Sequence, residues 1–141
     1  MYLVSPYLEE VYEPVTFKKL VAKTAKRVKE LKRKLHFTHI AFRGSSGAAM
    51  AFPVSAVTGI PLVHVRKSRE KSHGYPIEGR GTCTSYIILD DFICSGKTVN
   101  AIAKMLDDAY CVGIITYLSD TKDEYTLKNG RRHKTVPVFT I

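Results

Sequence analysis

The chain has 141 residues, is 45% hydrophobic and carries a formal charge of +9 at pH 7. A chain of this length builds one hydrophobic core, so we predict a single domain over residues 1–141. Its three cysteines are odd in number and lack CxxC spacing, which argues against a disulfide framework or a zinc site and indicates reduced thiols. Because it shows neither a basic leader nor an apolar stretch of about 20 residues, we expect a cytoplasmic protein without membrane contact.

Much of the positive charge is concentrated in residues 17–35, FKKLVAKTAKRVKELKRKL. Apolar residues recur there at helical spacing and lysines fill the remaining positions, which predicts an amphipathic helix with a basic outer face. A solvated surface is the favoured interpretation of that face. A surface for nucleic acid or another acidic partner is the alternative, although the aromatic interleaving typical of single-strand binding is absent.

The remaining sequence alternates between apolar runs and helical patterns. Strands that are apolar throughout and separated by helices indicate a parallel sheet covered on both faces, so we predict a Rossmann-like α/β fold. We expect the last strand to lie at the sheet edge, because Pro137 cannot donate to a ladder. The predicted strands are 38–42, 61–65, 86–91, 112–118 and 135–141; one predicted helix of small residues stops near Gly59, and another covers 97–109.

Two loops rich in glycine and serine lead into these last two helices. Backbone N–H groups of such loops can approach an anion at the positive end of a helix dipole, and parallel sheets bind ligands in the loops that follow their strands. An ordinary turn is the alternative for either loop taken alone, but two such loops together favour phosphate binding. The first loop contains Arg43, Gly44, Ser45, Ser46 and Gly47, and the second contains Cys94, Ser95, Gly96, Lys97 and Thr98.

Asp90 and Asp91 stand side by side at the tip of the predicted strand YIILDD. Two adjacent carboxylates there repel each other and cost desolvation, so they call for a cation or a ligand rich in hydroxyl groups. A Walker A loop is excluded because Asp91 occupies the position of its first glycine. A receiver domain is disfavoured as well, since its acidic pair belongs near the N-terminus. A second pair, Asp107 and Asp108, falls at a helix end and is predicted to be surface.

The segment from Asp90 to Thr98 resembles the phosphoribosyl pyrophosphate (PRPP) signature of type I phosphoribosyltransferases: apolar strand, two acids, three residues, then Ser95, Gly96, any residue and Thr98. The resemblance implies that Asp90 and Asp91 bind the ribose 2′- and 3′-hydroxyls. The loop from Cys94 to Thr98 would hold the 5′-phosphate with backbone amides and hydroxyls. Lys97 departs from the small residue usual in that family.

Residues 64–79, HVRKSREKSHGYPIEG, are similar to the mobile catalytic loop of orotate phosphoribosyltransferases. Arg66 and Lys67 match its Arg-Lys pair, while Lys71 and His73 match its second half with one additional residue between the two parts. By this likeness the loop, taken as 66–85, closes over the active site of a neighbouring subunit, which implies a homodimer. Residues 1–15 would be a minimal hood, and Ser5–Tyr7 is similar to a Ser-Pro-aromatic element of that family. A solvated basic hairpin is the alternative for 66–71.

The resemblance implies an enzyme that transfers ribose 5-phosphate from PRPP to a nitrogenous base and releases pyrophosphate. Arg66, Lys67, Lys71 and His73 would neutralise the pyrophosphate and the backbone of 43–47 would hold it. Asp90 and Asp91 would stabilise the developing positive sugar, with Lys71 and His73 as the other catalytic groups. Mg²⁺ would bridge the pyrophosphate and the ribose hydroxyls with few protein ligands.

Orotate is the leading candidate acceptor, but a purine or another nitrogen base stays open. Where the family carries a basic residue after the fourth strand, this chain has Thr121 and then Lys122. A non-catalytic PRPP- or nucleotide-binding regulator that contacts RNA is the alternative function. Its RNA contacts would come from the basic helix and from the cluster Arg131, Arg132, His133 and Lys134.

Overall fold

The computed structural model describes residues 1–68 and 74–141. Four helices and seven strands are found there. The helices are α1 (Glu9–Tyr12), α2 (Pro14–Leu35), α3 (Gly44–Thr58) and α4 (Lys97–Met105). The strands are β1 (His39–Phe42), β2 (Leu62–Val65), β3 (Ile77–Gly79), β4 (Ser85–Asp90), β5 (Tyr110–Thr116), β6 (Glu124–Asn129) and β7 (Arg132–Thr140).

The strands form one sheet in the order β3-β2-β1-β4-β5-β7-β6. The five inner strands run parallel, while β3 and β6 pair antiparallel with their neighbours at the two edges. The predicted parallel α/β architecture is therefore confirmed. Because β1, β4 and β5 lie side by side and point the same way, the loops that follow them meet at one end of the sheet.

The prediction that the last strand lies at the edge is wrong, because β7 is enclosed between β5 and β6. Pro137 is tolerated there by its position. It faces Glu124, the outermost registered residue of β6, and the parallel pairing with β5 begins only at Val138. Pro137, which has no N–H, thus lies at the end of the ladder with β6 and before the start of the ladder with β5. Strands β3 and β6 were not predicted; β3 lies inside the segment assigned to the mobile loop.

The basic helix is confirmed as α2, which begins three residues earlier than predicted. Its N-cap is Glu13, whose carboxylate accepts hydrogen bonds from the backbone N–H of Val15 and Thr16, and Pro14 occupies the first turn, where its missing N–H is harmless. The helix ends at Leu35, and its C-cap, His36, adopts the left-handed conformation with φ 54°. The buried face includes Val28 and Leu31, so α2 is held by packing on one side only.

Each face of the sheet carries its own apolar layer. On one face, α2 and α3 pack against residues such as Ile40, Phe42 and Ile115; on the other, α4 packs against Ile88 and Ile114. Alternate residues of β4 enter opposite layers, which is why the strand is buried throughout. In the described part of the chain, no helix is both long and apolar enough to cross a bilayer.

Candidate functional site

The predicted acidic pair lies at the carboxyl end of β4, in the middle of the sheet. A cleft of about 170 Å³ opens there, lined by Ser46 of α3 and by residues 90–99. The acidic pair and one phosphate-type loop therefore share a single concave surface with the start of α3. This is the end of a parallel sheet at which ligands bind.

Asp90 is buried, with only 5% of its surface exposed. Its carboxylate accepts a hydrogen bond from the Ser46 hydroxyl (3.3 Å) and one from the backbone N–H of Asp91 (3.0 Å). Burial, reinforced by the charge of Asp91, raises the pKa of Asp90 to about 7. A carboxylate held in this way gains most from a ligand that donates hydrogen bonds to it.

Asp91 is half-buried and projects at the rim of the same cleft. One of its carboxylate oxygens accepts a 2.8 Å hydrogen bond from the backbone N–H of Phe92. That bond orients the carboxylate, and a carboxylate retains further acceptor positions for a ligand. The two acids thus differ in role: Asp90 is enclosed by protein, and Asp91 is more accessible.

The loop that follows the acids turns sharply at Gly96, which adopts φ 81° and precedes the first residue of α4. The Ser95 hydroxyl accepts a hydrogen bond from the backbone N–H of Lys97 (3.4 Å), while the N-cap residue of α4 is Gly96, which has no side chain that could cap the helix. The first N–H groups of a helix lack intrahelical partners, so this turn presents donors to an anion. Cys94, Ser95 and Lys97 are exposed, whereas Thr98 is half-buried.

The first predicted loop is instead the opening turn of α3, which begins at Gly44 rather than after Gly47. Gly44 has φ 77°, a conformation that glycine adopts without strain. Arg43 is the N-cap, and no side chain caps this helix either. The prediction of a loop over 44–47 is therefore wrong. Anion binding there stays a prediction, and the uncapped N–H groups on which it depends now belong to a 15-residue helix.

Lys67 lies over this helix start. A Cβ built on Gly44 would meet the Lys67 side chain, at 3.0 Å from Cε and 3.2 Å from Nζ. The ammonium group and the N-terminus of α3 thus face the same small volume, although the two residues are 23 positions apart. Any residue larger than glycine at position 44 would displace the lysine.

Arg66 forms an ion pair with Glu78 of β3 at 2.8 Å. The hydrogen bond from Arg66 lowers the pKa of Glu78. Sequence reasoning assigned Arg66 to pyrophosphate, and the structure gives it a carboxylate partner that was not predicted. Lys71 and His73, the remaining loop residues of the predicted site, lie outside the described residues.

Three supporting residues follow β5, the neighbour of β4; the sequence analysis singled out only Lys122 among them, and for a different role. Tyr117 donates a 2.7 Å hydrogen bond to the carbonyl oxygen of Ser46. Asp120 accepts from the backbone N–H of Ile93 (2.9 Å), and Lys122 donates to the Ile93 carbonyl oxygen (3.0 Å). Their signal in the sequence was the polar run SDTKD, which follows an apolar strand. Parallel pairing of β5 with β4 brings this run beside the loop that begins at Asp91, which we call the acidic loop.

The arrangement combines carboxylates with the N-termini of two separate helices. The N-termini of α3 and α4 flank Asp90 and Asp91, and Lys67 adds a full positive charge on the α3 side. Such a site suits a polyhydroxylated ligand that carries phosphate groups at two ends.

Neither a protein-family model nor a curated protein sequence matches the chain. Its fold, however, is that of the type I phosphoribosyltransferases, which the similar solved structures represent. One is an adenine phosphoribosyltransferase from Saccharomyces cerevisiae, solved with D-2,5-dideoxy-2,5-imino-altritol 1,6-bisphosphate and adenine. It is 19% identical, with a TM-score of 0.64 and coverage of 99% of this chain and 86% of that one.

The names of two further similar structures refer to orotate and to uridine monophosphate (UMP). Mycobacterium tuberculosis orotate phosphoribosyltransferase, in complex with PRPP, is 20% identical, with a TM-score of 0.54 and coverage of 68% of this chain and 58% of that one. Leishmania donovani UMP synthase is 24% identical, with a TM-score of 0.58 and coverage of 77% of this chain and 23% of that one. The chain thus spans about a quarter of the UMP synthase.

Proposed function

We propose that the protein transfers a 5-phosphoribosyl group from PRPP to a nitrogenous base and releases pyrophosphate. The observation that carries this proposal is the convergence of two buried or half-buried carboxylates with two uncapped helix N-termini at one end of the sheet. PRPP has the matching chemistry: ribose hydroxyls at its centre, a monophosphate at one end and a pyrophosphate at the other. The complex of a similar structure with PRPP supports the choice.

In this proposal Asp90 and Asp91 accept hydrogen bonds from the ribose 2′- and 3′-hydroxyls. Their negative charge stabilises the positive character that develops on the sugar as the bond to pyrophosphate breaks. The turn from Cys94 to Thr98 binds the 5′-phosphate through its backbone N–H groups. The start of α3 and the Lys67 ammonium receive the pyrophosphate, where they neutralise the leaving group.

Lys71 and His73 are proposed as further cations at the leaving group on the basis of the sequence resemblance alone. The proposed closure of segment 66–85 over a partner subunit, and hence the homodimer, rests on the same resemblance. If the loop is shared, mixing an Asp91→Asn protein with a Lys71→Ala protein should restore activity, because one of the two sites in a mixed dimer keeps both residues.

Mg²⁺ is the proposed cofactor. Within residues 1–68 and 74–141, no group of three or more His, Cys, Asp or Glu side chains is placed to hold a metal ion. We propose that the ion is carried mainly by substrate oxygens, with Asp90 and Asp91 as hard oxygen donors in the cleft. When bound, such an ion would offset the charge of the pyrophosphate group.

The acceptor base is the least constrained part of the proposal. Orotate remains the leading candidate by sequence resemblance, while adenine is the base bound to one of the similar structures. Lys122, which lies near the position where orotate enzymes carry a basic residue, donates to the Ile93 carbonyl oxygen and lies 3.9 Å from Asp120. The Lys122 ammonium is thus already bound to the acidic loop. It is therefore a weaker candidate for binding the carboxylate of orotate.

The direct test is to incubate the protein with PRPP, Mg²⁺ and a panel of bases and to measure pyrophosphate and nucleotide formation. We expect one base or a few related bases to yield a product. Asp91→Asn should lower kcat by at least about 100-fold with a much smaller loss of PRPP affinity, since the carboxylate acts mainly on the developing charge. Asp123→Asn is the matched control, because Asp123 is exposed and lies outside the cleft.

Failure of every base to react, with PRPP still bound, would overturn the enzymatic proposal. The alternative, a PRPP-binding regulator that contacts RNA, would then be supported by an RNA affinity that responds to PRPP and falls steeply with salt. Exposed lysines along α2, among them Lys19, Lys23 and Lys26, are the observation that favours this alternative.

A further inference from the structure

A second and larger cleft opens on the opposite end of the sheet, remote from Asp90. It encloses about 450 Å³ between the C-terminal end of α4 and the hairpin formed by β6 and β7. Tyr86, at the start of β4, forms part of its lining, whereas Asp90 ends the same strand in the site described above. A volume of this size falls within the range of small-molecule sites.

One wall of this cleft is basic. In the β6–β7 hairpin, Asn129 is paired with Arg132 and Leu127 with Lys134, so these four residues share one face of the ribbon. That face lines the cleft. The two cations are therefore presented side by side by a regular strand, a placement that suits a phosphate group.

The opposite wall carries Asp107 and Asp108, which directly follow the end of α4. Carboxylates at the negative end of a helix dipole are unfavourable in themselves. Asp107 accepts a 2.6 Å hydrogen bond from the Asn129 side-chain amide, which ties helix and hairpin together at the cleft. Within the described chain, no ion pair joins either aspartate to Arg132 or Lys134. Opposite charges thus line one cleft without direct ion pairs between these side chains.

Tyr110 supplies an aromatic surface between these walls. Tyr110 is 70% exposed as a residue at the start of β5, and the Lys134 ammonium lies over one face of its ring, 4.2 Å from the centroid. Lys134 is held in place by a 2.8 Å hydrogen bond to the carbonyl oxygen of Cys111. An exposed aromatic ring beside a fixed cation is a platform on which a planar heterocycle can stack on the free face.

We propose that this cleft is a second ligand site, which binds a nucleoside 5′-monophosphate. The phosphate lies against Arg132 and Lys134, the ribose hydroxyls donate to Asp107 and Asp108, and the base packs on Tyr110. All three parts of the ligand are needed to satisfy the three surfaces. The assignment does not rest on the proposed phosphoribosyl transfer, because none of its residues belongs to the Asp90 site.

Nuclear magnetic resonance of the 15.8 kDa chain can locate binding by residue. Adenosine and uridine 5′-monophosphates are titrated separately into ¹⁵N-labelled protein. We expect at least one to shift the amide signals of Tyr110, Cys111 and 129–134 with its own saturation midpoint. Shifts confined to 91–98 would mean binding at the Asp90 site alone and would overturn the proposal.

Two substitutions in the hairpin distinguish a specific contact with the phosphate from a general effect of positive charge. Arg132→Ala should weaken binding at the hairpin at least tenfold and leave any shifts in 91–98 unchanged. Arg131→Ala is the matched control, since Arg131 neighbours Arg132 but does not line the cleft; it should change the affinity less than twofold. An equal loss in both variants would indicate a general charge effect and would contradict a specific site.

The ribose and base contacts are tested with smaller probes. Ribose 5-phosphate should bind at least tenfold more weakly than the nucleotide, and Tyr110→Ala should abolish that difference. If inorganic phosphate saturates the hairpin shifts at the same concentration as the nucleotide, the cleft is only an anion site and the proposal fails. Loss of PRPP binding at 91–98, with the hairpin shifts intact, would count against the proposed function and not against this second site.

Discussion

The hydroxyl of Tyr117, at the end of β5, donates a 2.7 Å hydrogen bond to the backbone carbonyl of Ser46, in the first turn of α3. The Ser46 side chain in turn donates to the carboxylate of Asp90. A peptide plane that is fixed by its carbonyl is also fixed at its N–H, which here belongs to Gly47. Tyr117 therefore helps to fix the first turn of α3, which carries the uncapped donors of the proposed pyrophosphate site.

We predict that Tyr117→Phe weakens PRPP binding severalfold and lowers the free energy of unfolding by about 1 kcal/mol, the usual contribution of one buried hydrogen bond. Calorimetric titration with PRPP and thermal denaturation measure the two effects. Tyr12→Phe is the control, because Tyr12 is exposed in α1. A lower melting temperature with unchanged PRPP affinity would show that the hydroxyl serves packing alone.

The close approach of Tyr125 to Gly96 leads to a second prediction. A Cβ on Gly96 would overlap the Tyr125 hydroxyl and would lie 2.7 Å from its Cζ, and the backbone there has φ 81°. Gly96→Ala should therefore combine backbone strain of about 1–2 kcal/mol with a steric clash, and should weaken PRPP binding by at least about tenfold.

Gly59→Ala is the matched control for this change. Gly59 has φ 74° at the end of α3, yet no other atom lies within 4 Å of the position that a Cβ would occupy there. It should show the backbone strain in a melting curve and leave PRPP affinity unaltered. Equal effects of the two substitutions on PRPP binding would contradict a specific role for the turn at Gly96.

Local pattern was sufficient for the parts of the fold that are determined by short stretches of sequence. The spacing of apolar residues in 17–35 predicts α2, and the apolar run before Asp90 predicts a buried strand. The acidic pair and the turn at Gly96 follow each other within nine residues, so their proximity could be predicted from the sequence. The parallel sheet followed from the alternation of strands and helices.

Contacts between distant segments could not be predicted in this way. Tyr117 and Ser46 are 71 positions apart, and their hydrogen bond depends on the register of β5 with β4, in which Thr116 pairs with Asp90. Strand β6, with the sequence EYTLKN, carries too little apolar character to stand out, because only Leu127 is buried. Because β6 pairs with β7, the strand that contains Pro137 lies inside the sheet and not at its edge. The failure to predict β6 and the wrong position predicted for the last strand therefore have the same cause.

Lys122 provides a third prediction, which bears on the acceptor base. Its ammonium donates to the Ile93 carbonyl oxygen, while Asp120 accepts from the Ile93 N–H. Both residues therefore hold the acidic loop in position. Lys122→Ala should therefore raise KM for PRPP by roughly three- to tenfold and leave KM for the base unchanged. Lys104→Ala, an exposed lysine of α4, is the control.

Steady-state kinetics with each substrate varied in turn distinguishes the two roles of Lys122. A selective rise in KM for the base, with normal PRPP kinetics, would show that the lysine contacts the acceptor and would restore the argument for an anionic base such as orotate. Thr121→Ala tests the neighbouring position in the same assay.

The buried carboxyl of Asp90 leads to a prediction about stability and pH. Burial, together with the charge of Asp91, raises its pKa to about 7 in the folded protein, against an ordinary value of 3.8. The folded state thus holds a proton that the unfolded state has released, so the free energy of unfolding should fall as pH rises from about 4 to about 7. Above pH 7 the free protein carries the full cost of the buried charge.

Asp90→Asn removes that cost, since the amide keeps an oxygen that can accept from Ser46 and from the Asp91 N–H. At pH 8 the variant should be more stable than the wild type by about 1–3 kcal/mol, and the two stabilities should converge near pH 4. Urea denaturation across this pH range measures the difference. A constant difference at every pH would mean that packing, not ionisation, separates the two proteins.

Adding PRPP should stabilise the wild type more than Asp90→Asn. Ribose hydroxyls that donate to the ionised Asp90 compensate the charge in the wild type, whereas the neutral amide gains less from them because hydrogen bonds to a charged group are stronger. Saturating PRPP at pH 8 should thus raise the melting temperature of the wild type more than that of Asp90→Asn. An equal rise in both proteins would place the sugar away from this carboxylate and would remove the physical reason for an acidic pair at the end of β4.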